Sequence, residues 1–483
     1  MLMIIVVALA FGTVYCSALS PHWKVTADST TYVLGAESLA QGKGYLEGRY
    51  PAILFPPGTS LILAAAWIIG GHTYWALNAE VLLFAFGSLA ICFLSFRESL
   101  GSVGSGILVL LCLGSTLFFV TTTYVLSEIF FIFFSLLALW CYRRDSTAGS
   151  VLSALAAVMV RTVGVSLAIA LLLASVRKRP RSWRNIAAYA VPIFFALLWE
   201  WRNRRLGWSY SDLMTQRDPW VLTSGHISLL TLLSRLVANR GYCRVLENVL
   251  TNDLTADIAW AVIAGVALAG LFVLGFRRLS PDERWPIALY LTLYAIAIAL
   301  YWPSVIIRFT LPILPLVFAC IVGGVEEMAR RPRLKWVYAP VLVFMGFYLV
   351  RGFQAEMAGA ERERGSAFPN ELAKYAENYD LQRVAVWWRD HSSRTDRFAC
   401  RQPNIIGAIT GRDGVHFEPT SQPDALEHDL QAKGARFLFL DLELAPDQDR
   451  DLGNRLRDSD RFRILKQERQ AELFELTHWP PDR

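Results

Sequence analysis

The chain has 483 residues, of which 54% are hydrophobic and 18% are charged, and its formal net charge is +6. Soluble domains carry about 25% charged residues, and most apolar residues of this chain lie before position 352, in runs long enough to cross a bilayer. The composition excludes an ordinary soluble protein and predicts a polytopic membrane protein. Basic residues at the ends of apolar runs account for the positive charge, so the charge does not indicate nucleic-acid binding.

Apolar runs give the predicted membrane segments in chain order: 1–19, 57–71, 75–95, 105–123, 127–142, 150–160, 162–176, 185–200, 257–276, 284–302, 308–325 and 335–351. Basic clusters mark the cytoplasmic ends, and they are Arg143-Arg144, Arg177-Lys178-Arg179, Arg277-Arg278 and Arg330-Arg331. If the N-terminus is cytoplasmic, every basic cluster lies on the cytoplasmic side, provided that run 57–71 does not cross the membrane.

The run 57–71 is shorter than the roughly 20 residues that a span needs, so we expect a re-entrant or juxtamembrane helix. The stretch 150–176 is too long for one membrane-spanning helix and short for two full spans. We therefore expect a hairpin of two short helices that turns near Arg161. The resulting fold class is mostly α, with about 11 transmembrane helices plus the juxtamembrane helix.

The predicted domains are a transmembrane domain, 1–351, with external loops 20–56 and 201–256, and an extracytoplasmic α/β domain, 352–483. Alternating elements indicate the second domain. Its predicted helices are 370–379, 424–433 and 447–458, and its predicted strands are 383–388, 437–442, 462–465 and 471–476.

Of the seven cysteines, only Cys243 and Cys400 lie outside the apolar runs. A disulfide between them requires that both face an oxidising side, and two separate thiols are the default interpretation. The cysteine and histidine spacing indicates no zinc site.

The first external loop contains Asp28, a carboxylate that could accept a proton, bind a metal or cap the following helix. Tyr32 is spaced to share one helix face with Asp28. Glu37 and Glu47 are weaker candidates, because each is typical of a solvated charge in a loop. Taken one by one, His22, Lys24 and Lys43 are typical of ordinary surface residues.

Three charged residues lie in or beside the apolar runs. Glu128 begins a span, where it either has a function or is a first-turn charge favoured by the helix dipole. Arg161 needs a carboxylate or a phosphate as partner, and a structural salt bridge to Glu128 is one alternative. Arg308 either binds an anionic lipid headgroup or snorkels to the interface.

The order of these features resembles the GT-C fold membrane glycosyltransferases, which include the protein O-mannosyltransferase and the bacterial lipid A aminoarabinose transferase families. The matching stretches are Asp28 with Tyr32, Ala36, Leu39 and Gly42-Lys43-Gly44-Tyr45; Phe55-Pro56-Pro57-Gly58; Ser127-Glu128; Arg161-Thr162-Val163-Gly164; Arg308-Phe309 with Leu311-Pro312 and Pro315; and Thr410-Gly411-Arg412.

This resemblance implies an enzyme of the cell inner membrane that transfers a sugar from a polyprenyl-phosphate donor to a lipid, protein or cell-envelope glycan. The transfer would take place on the extracytoplasmic side. It assigns the catalytic base to Asp28 and donor phosphate binding to Arg308, with Arg161 second. Glu128, Tyr32 and Lys43 complete the candidate substrate-binding residues.

The chain departs from the family pattern at two positions. Ser29 follows Asp28, where many members have an acid, and Phe55 precedes the two prolines, close to which some members carry a second acid. We therefore expect no cofactor and no required metal, although a divalent ion would be compatible. Two alternatives stay open. A transporter or flippase would more often show an internal repeat, and a non-catalytic scaffold would share the fold without the chemistry.

Overall fold

The computed structural model describes residues 1–48, 50–177, 182–207, 209–217, 225–239, 241–252, 258–301, 306–331, 335–365, 379–417, 422–442 and 446–479. The chain divides into two compact units. Unit 1 comprises Met1–Pro21, Ile53–Thr215 and Ile227–Gly365, and unit 2 comprises His22–Ala52, Gln216–His226 and Ser366–Arg483.

The helices, in chain order, are α1 (Leu2–Ser17), α2 (Ala27–Ala40), α3 (Gly58–Ile69), α4 (Tyr74–Leu113), α5 (Thr116–Thr122), α6 (Glu128–Arg143), α7 (Thr147–Val160), α8 (Val165–Arg177), α9 (Trp183–Arg205), α10 (Tyr210–Thr215), α11 (Leu229–Ala238), α12 (Gly241–Thr251), α13 (Ile258–Arg278), α14 (Pro281–Leu300), α15 (Leu314–Ala329), α16 (Lys335–Gly365), α17 (Tyr379–His391), α18 (Pro403–Thr410), α19 (Pro423–Ala432) and α20 (Pro446–Arg457). The strands are β1 (Leu46–Glu47), β2 (Tyr50–Pro51), β3 (Phe398–Ala399), β4 (Gly414–Val415), β5 (Phe437–Asp441), β6 (Phe462–Glu468) and β7 (Ala471–Leu476).

Unit 1 is built from apolar helices. Among the described residues, four helical segments are long and apolar enough to cross a membrane: Tyr74–Leu113, Pro281–Leu300, Ile307–Ala329 and Ala339–Glu363. Several of these helices begin with local signals that the sequence carries. At α14, for example, Ser280 and Glu283 form a capping box and Pro281 occupies the first turn. The chain is therefore an integral membrane protein.

The predicted segment 75–95 lies in α4, which is interrupted at Gly101 (φ 65°, ψ 176°), and the predicted segment 105–123 is divided between the end of α4 and α5. A positive φ is accessible to glycine at little steric cost, so the helix can bend there. The predicted short helix 57–71 is α3, whose 12 residues span about 18 Å, well below the thickness of a bilayer core.

The predicted turn near Arg161 is present as a helix break. Arg161 has extended backbone (φ −145°, ψ 134°), and it separates α7 from a single 3-10 turn, Thr162–Gly164, that leads into α8. At the other end of unit 1, α16 continues without interruption through residues 352–365.

Unit 2 contains a five-stranded sheet with strand order β4-β3-β5-β7-β6. The pairs β3–β4 and β3–β5 are parallel, whereas β5–β7 and β6–β7 are antiparallel. Side chains of β5 alternate between the two faces: Phe437 and Phe439 pack with Trp388 of α17, while Leu438 and Leu440 pack with α19 and α20. The predicted helices 424–433 and 447–458 and the three predicted strands after residue 436 are confirmed.

One predicted strand is wrong. Residues 383–388 belong to helix α17, although their valine and tryptophan content favoured a strand. The buried positions Leu381, Val384, Ala385 and Trp388 follow helical spacing, and packing of this face against the sheet decides the conformation. Most of the predicted helix 370–379 lies outside the described residues.

Cys400 is a buried free thiol, and burial raises its pKa. The side chain of Cys243 lies outside the described part of the chain.

Candidate functional site

Glu128 and Arg161 form a buried ion pair in unit 1. Glu128 is the first residue of α6 and its side chain has no exposed surface. Arg161 Nη1 lies 2.7 Å from Glu128 Oε1 and donates a hydrogen bond to Ser127 Oγ at 2.8 Å. The extended backbone at Arg161 ends α7 and lets the guanidinium reach the start of α6. Geometrically, this is the salt bridge that the sequence offered as one alternative for Arg161.

Arg308 reaches the same carboxylate from a third segment. It lies in a 3-10 turn, Ile307–Ile313, before α15, and its Nε is 3.6 Å from Glu128 Oε1. The ring of Phe309 lies 5.4 Å from the guanidinium carbon of Arg161 and 5.8 Å from that of Arg308. Tyr294 on α14 donates a hydrogen bond to the Phe309 carbonyl at 3.0 Å, which holds this turn in place.

The proline-rich element 55–58 packs beside this cluster. A side chain at Gly58 would place its Cβ 2.5 Å from the Met159 carbonyl carbon, so only glycine permits this contact at the start of α3. Thr59 donates a hydrogen bond to the Val160 carbonyl at 3.4 Å. The Pro-Pro-Gly element therefore supports the end of α7 immediately before Arg161.

Glu128, Arg161 and Arg308 together have the composition of a binding site for an anion in surroundings of low dielectric constant. One carboxylate faces two guanidinium groups, and the arginine side chains retain 15% and 24% of their exposure. A guanidinium has five N–H donors in a planar fork, so it can keep one bond to Glu128 and direct others to a phosphate. All three charged residues are recognisable in the sequence as candidates, whereas no local pattern marks a function for Ser127, Phe309 or Tyr294.

Asp28 and Tyr32 lie on α2, in unit 2. The cap of α2 is Thr26, whose side chain accepts from the Ser29 amide in a capping box, so Asp28 is not the cap. Asp28 is half-buried in the first turn, and Tyr32 is buried one turn later on the same face.

Asn404 of α18 holds the start of α2. Its Nδ2 donates to the Ala27 carbonyl at 3.1 Å and to Thr30 Oγ1 at 2.8 Å. Gln382 of α17 adds a bond to the Val25 carbonyl at 3.0 Å. These side chains fix the backbone on both sides of Asp28, and no local sequence signal could have identified them.

Lys43 is exposed and follows the end of α2. Gly42 (φ 70°) is in the left-handed conformation, its amide bonds to the Leu39 carbonyl, and the Lys43 amide bonds to the Ser38 carbonyl. This is a Schellman motif, so the glycine-rich stretch has a structural role as a helix stop.

Two residues of the first loop differ from their interpretation as surface charges. Glu47 on β1 accepts a hydrogen bond from Thr31 at 3.1 Å, and burial raises its pKa although that bond opposes the shift. Lys24 is only 4% exposed. Glu37 remains partly accessible, and burial raises its pKa as well.

Among the described residues, no group of three or more histidine, cysteine, aspartate or glutamate side chains is placed so that it could share a metal ion. The expectation that no metal is required stays a prediction.

Solved structures with similar architecture are membrane glycosyltransferases. ArnT from Cupriavidus metallidurans bound to undecaprenyl phosphate superposes with a TM-score of 0.61 and 11% identity, over 98% of this chain and 97% of that one. The archaeal oligosaccharyltransferase AglB from Archaeoglobus fulgidus, in complex with an inhibitory peptide and a dolichol-phosphate, superposes with a TM-score of 0.57 and 10% identity. The match covers 92% of this chain and 70% of that one. The chain has the GT-C fold.

A third GT-C structure, the arabinofuranosyltransferase AftD from Mycobacteria, gives a TM-score of 0.50 and 14% identity, over 98% of this chain and 41% of that one. No protein-family model and no curated protein sequence matches the chain. The GT-C fold expected from the order of motifs is thus confirmed by architecture, at an identity too low to transfer residue roles.

Proposed function

We propose that the chain is an integral-membrane glycosyltransferase that moves a sugar from a polyprenyl-phosphate-linked donor to an acceptor on the extracytoplasmic side. The observation that carries the proposal is the convergence of Arg161 and Arg308 on buried Glu128, in a chain with the GT-C fold. Neighbours of this fold are described with undecaprenyl phosphate or dolichol-phosphate bound, which supports a lipid-phosphate donor.

In the proposed reaction, an acceptor hydroxyl or amine attacks the anomeric carbon and the bond from that carbon to the phosphate oxygen breaks. The phosphate leaves with the electron pair, and Arg308 and Arg161 stabilise its charge. Asp28 accepts the acceptor's proton as general base. The acceptor is a lipid, a protein or a cell-envelope glycan, and the proposed location is the cell inner membrane with about 11 spans and a cytoplasmic N-terminus.

The decisive experiment compares cells that lack the protein with cells complemented by wild type, Asp28→Asn or Glu37→Gln. The last variant neutralises another acid of α2 and serves as the matched control. Mass spectrometry of envelope lipids, glycans and glycoproteins should find a sugar modification that requires the wild-type protein. We expect Asp28→Asn to accumulate normally in the membrane yet lose the modification, because the acceptor proton has no base.

Two results would contradict the proposal. If the modification persists with Asp28→Asn, Asp28 is not the base. If no envelope sugar depends on the wild-type protein in any growth condition, the transferase function is wrong and the scaffold alternative gains support.

A further inference from the structure

Helix α11 has an apolar face that the described part of unit 1 leaves exposed. The exposed fractions of Leu229, Leu230, Leu233, Leu236 and Val237 are 71%, 78%, 45%, 42% and 68%. At about 100° per residue these five positions occupy one arc of roughly 120°. Isolated exposed leucines are common on protein surfaces, but a contiguous patch marks a contact with another apolar phase.

The opposite face of α11 is hydrogen-bonded to the end of α14. Arg235 is 5% exposed and donates to the Met214 carbonyl at 2.5 Å and to the Leu300 carbonyl at 3.5 Å. Asn239 is 4% exposed and donates to the Ala299 carbonyl at 2.9 Å and to the Tyr301 carbonyl at 3.4 Å. The bonds to Ala299, Leu300 and Tyr301 use carbonyl groups that the end of α14 leaves without helical partners, whereas Met214 belongs to α10.

The hydrogen bonds to α14 determine where α11 lies relative to the bilayer. Helix α14 has 20 residues and therefore spans about 30 Å, which matches the hydrocarbon thickness of a bilayer. If α14 crosses the membrane, its last turn lies at the boundary between acyl chains and headgroups. A helix held there by its polar face presents its leucines to lipid.

We propose that α11 binds the surface of the lipid bilayer, with its leucine face among the acyl chains of phospholipids at the end of α14. Helices of this kind lie in the interfacial plane, and their affinity grows with the apolar area that they bury. This proposal does not depend on the transferase function.

Membrane contact at α11 also bears on the arginine cluster. Helix α12 begins at Gly241, and its Tyr242 hydroxyl accepts a hydrogen bond from the Ile306 amide at 3.3 Å. Ile306 immediately precedes the 3-10 turn that contains Arg308. The Tyr242 amide also donates to the carbonyl of Asn239 at the end of α11, so binding of α11 to the bilayer should help to hold this turn in place.

The test uses the full-length protein in phospholipid nanodiscs, with an environment-sensitive fluorophore attached to Leu233→Cys or, as matched control, to Thr231→Cys on the exposed polar side of the same helix. Native cysteines are replaced by alanine. If that background fails to fold, the same labels are placed in the native background and the signal of the parent chain is subtracted.

We expect a phospholipid with brominated acyl chains to quench the label at position 233 several-fold more than the label at 231, and aqueous iodide to show the reverse order. Equal access of iodide to both positions would overturn the proposal, because the face would then be in water. A label at 233 that neither quencher reaches would also overturn it, because a protein surface would then cover the leucines.

Discussion

A carboxylate without solvent exposure, such as that of Glu128, is stable in ionised form only beside cations. Arg161 supplies the nearer cation, at 2.7 Å, and Arg308 the second, at 3.6 Å. Glu128 thereby holds two side chains from separate segments in one place. Its position supports a positioning role for the two guanidinium groups, in addition to the substrate contact that we predicted for it.

Arg308→Ala should weaken donor binding while the protein still folds, since Arg161 remains paired with Glu128. Hydrogen bonds to charged groups contribute about 1.5–3 kcal/mol, so we expect the apparent KM for a polyprenyl-phosphate sugar to rise by roughly 10- to 150-fold. The measurement is initial-rate kinetics in nanodiscs.

Arg330→Ala is the control for that experiment, because Arg330 is exposed after the other end of α15. Loss of donor affinity in both variants would indicate a nonspecific charge effect. An unchanged KM with Arg308→Ala would remove Arg308 from the phosphate site.

At the scale of elements, the Thr410-Gly411-Arg412 stretch has a structural explanation. Gly411 ends α18 in the left-handed conformation (φ 67°). Arg412 donates to the Trp388 carbonyl at 3.3 Å, to the Arg389 carbonyl at 2.8 Å, and to Ser392, so it caps the C-terminus of α17. Its guanidinium also lies 4.5 Å from the Trp388 ring centre.

Replacing Arg412 with alanine should loosen α17, because several buried carbonyl groups lose their donor. We expect a loss of about 2–4 kcal/mol in local stability, seen as faster hydrogen exchange of the α17 amides. Arg412→Lys should recover little, since a single ammonium cannot replace the planar fork. Exchange rates in α17 like those of the exposed control Arg394→Ala would contradict the capping role.

At the scale of the whole molecule, the charge pattern predicts an orientation that labelling can check. A cysteine at Arg469, exposed between β6 and β7, should react with a membrane-impermeant maleimide in intact cells. A cysteine at Arg330 should react only after permeabilisation, because it belongs to a predicted cytoplasmic cluster. The reverse pattern would invert the proposed topology, and labelling of both without permeabilisation would show that the spans were counted wrongly.

Much of this architecture follows from the sequence by itself. Hydrophobic runs are a local property, so apolar helices, the short α3 and the helix break at Arg161 could be located in advance, whereas the count of about 11 spans stays a prediction. Charged residues in apolar surroundings are costly, which is why Glu128, Arg161 and Arg308 stood out as candidates before any contact was known.

The tertiary structure alone decided which of these residues meet. Glu128, Arg161 and Arg308 lie far apart along the chain, and only the packing of α6, α7 and the turn before α15 brings their charged groups within 4 Å. Burial is likewise nonlocal: Glu47 accepts a bond from Thr31 across a loop, and residues 383–388 became a helix because one face packs on the sheet. Local pattern determines where polar groups occur in the membrane chain, whereas desolvation and pairing, which set their chemistry, depend on neighbours that only the folded protein provides.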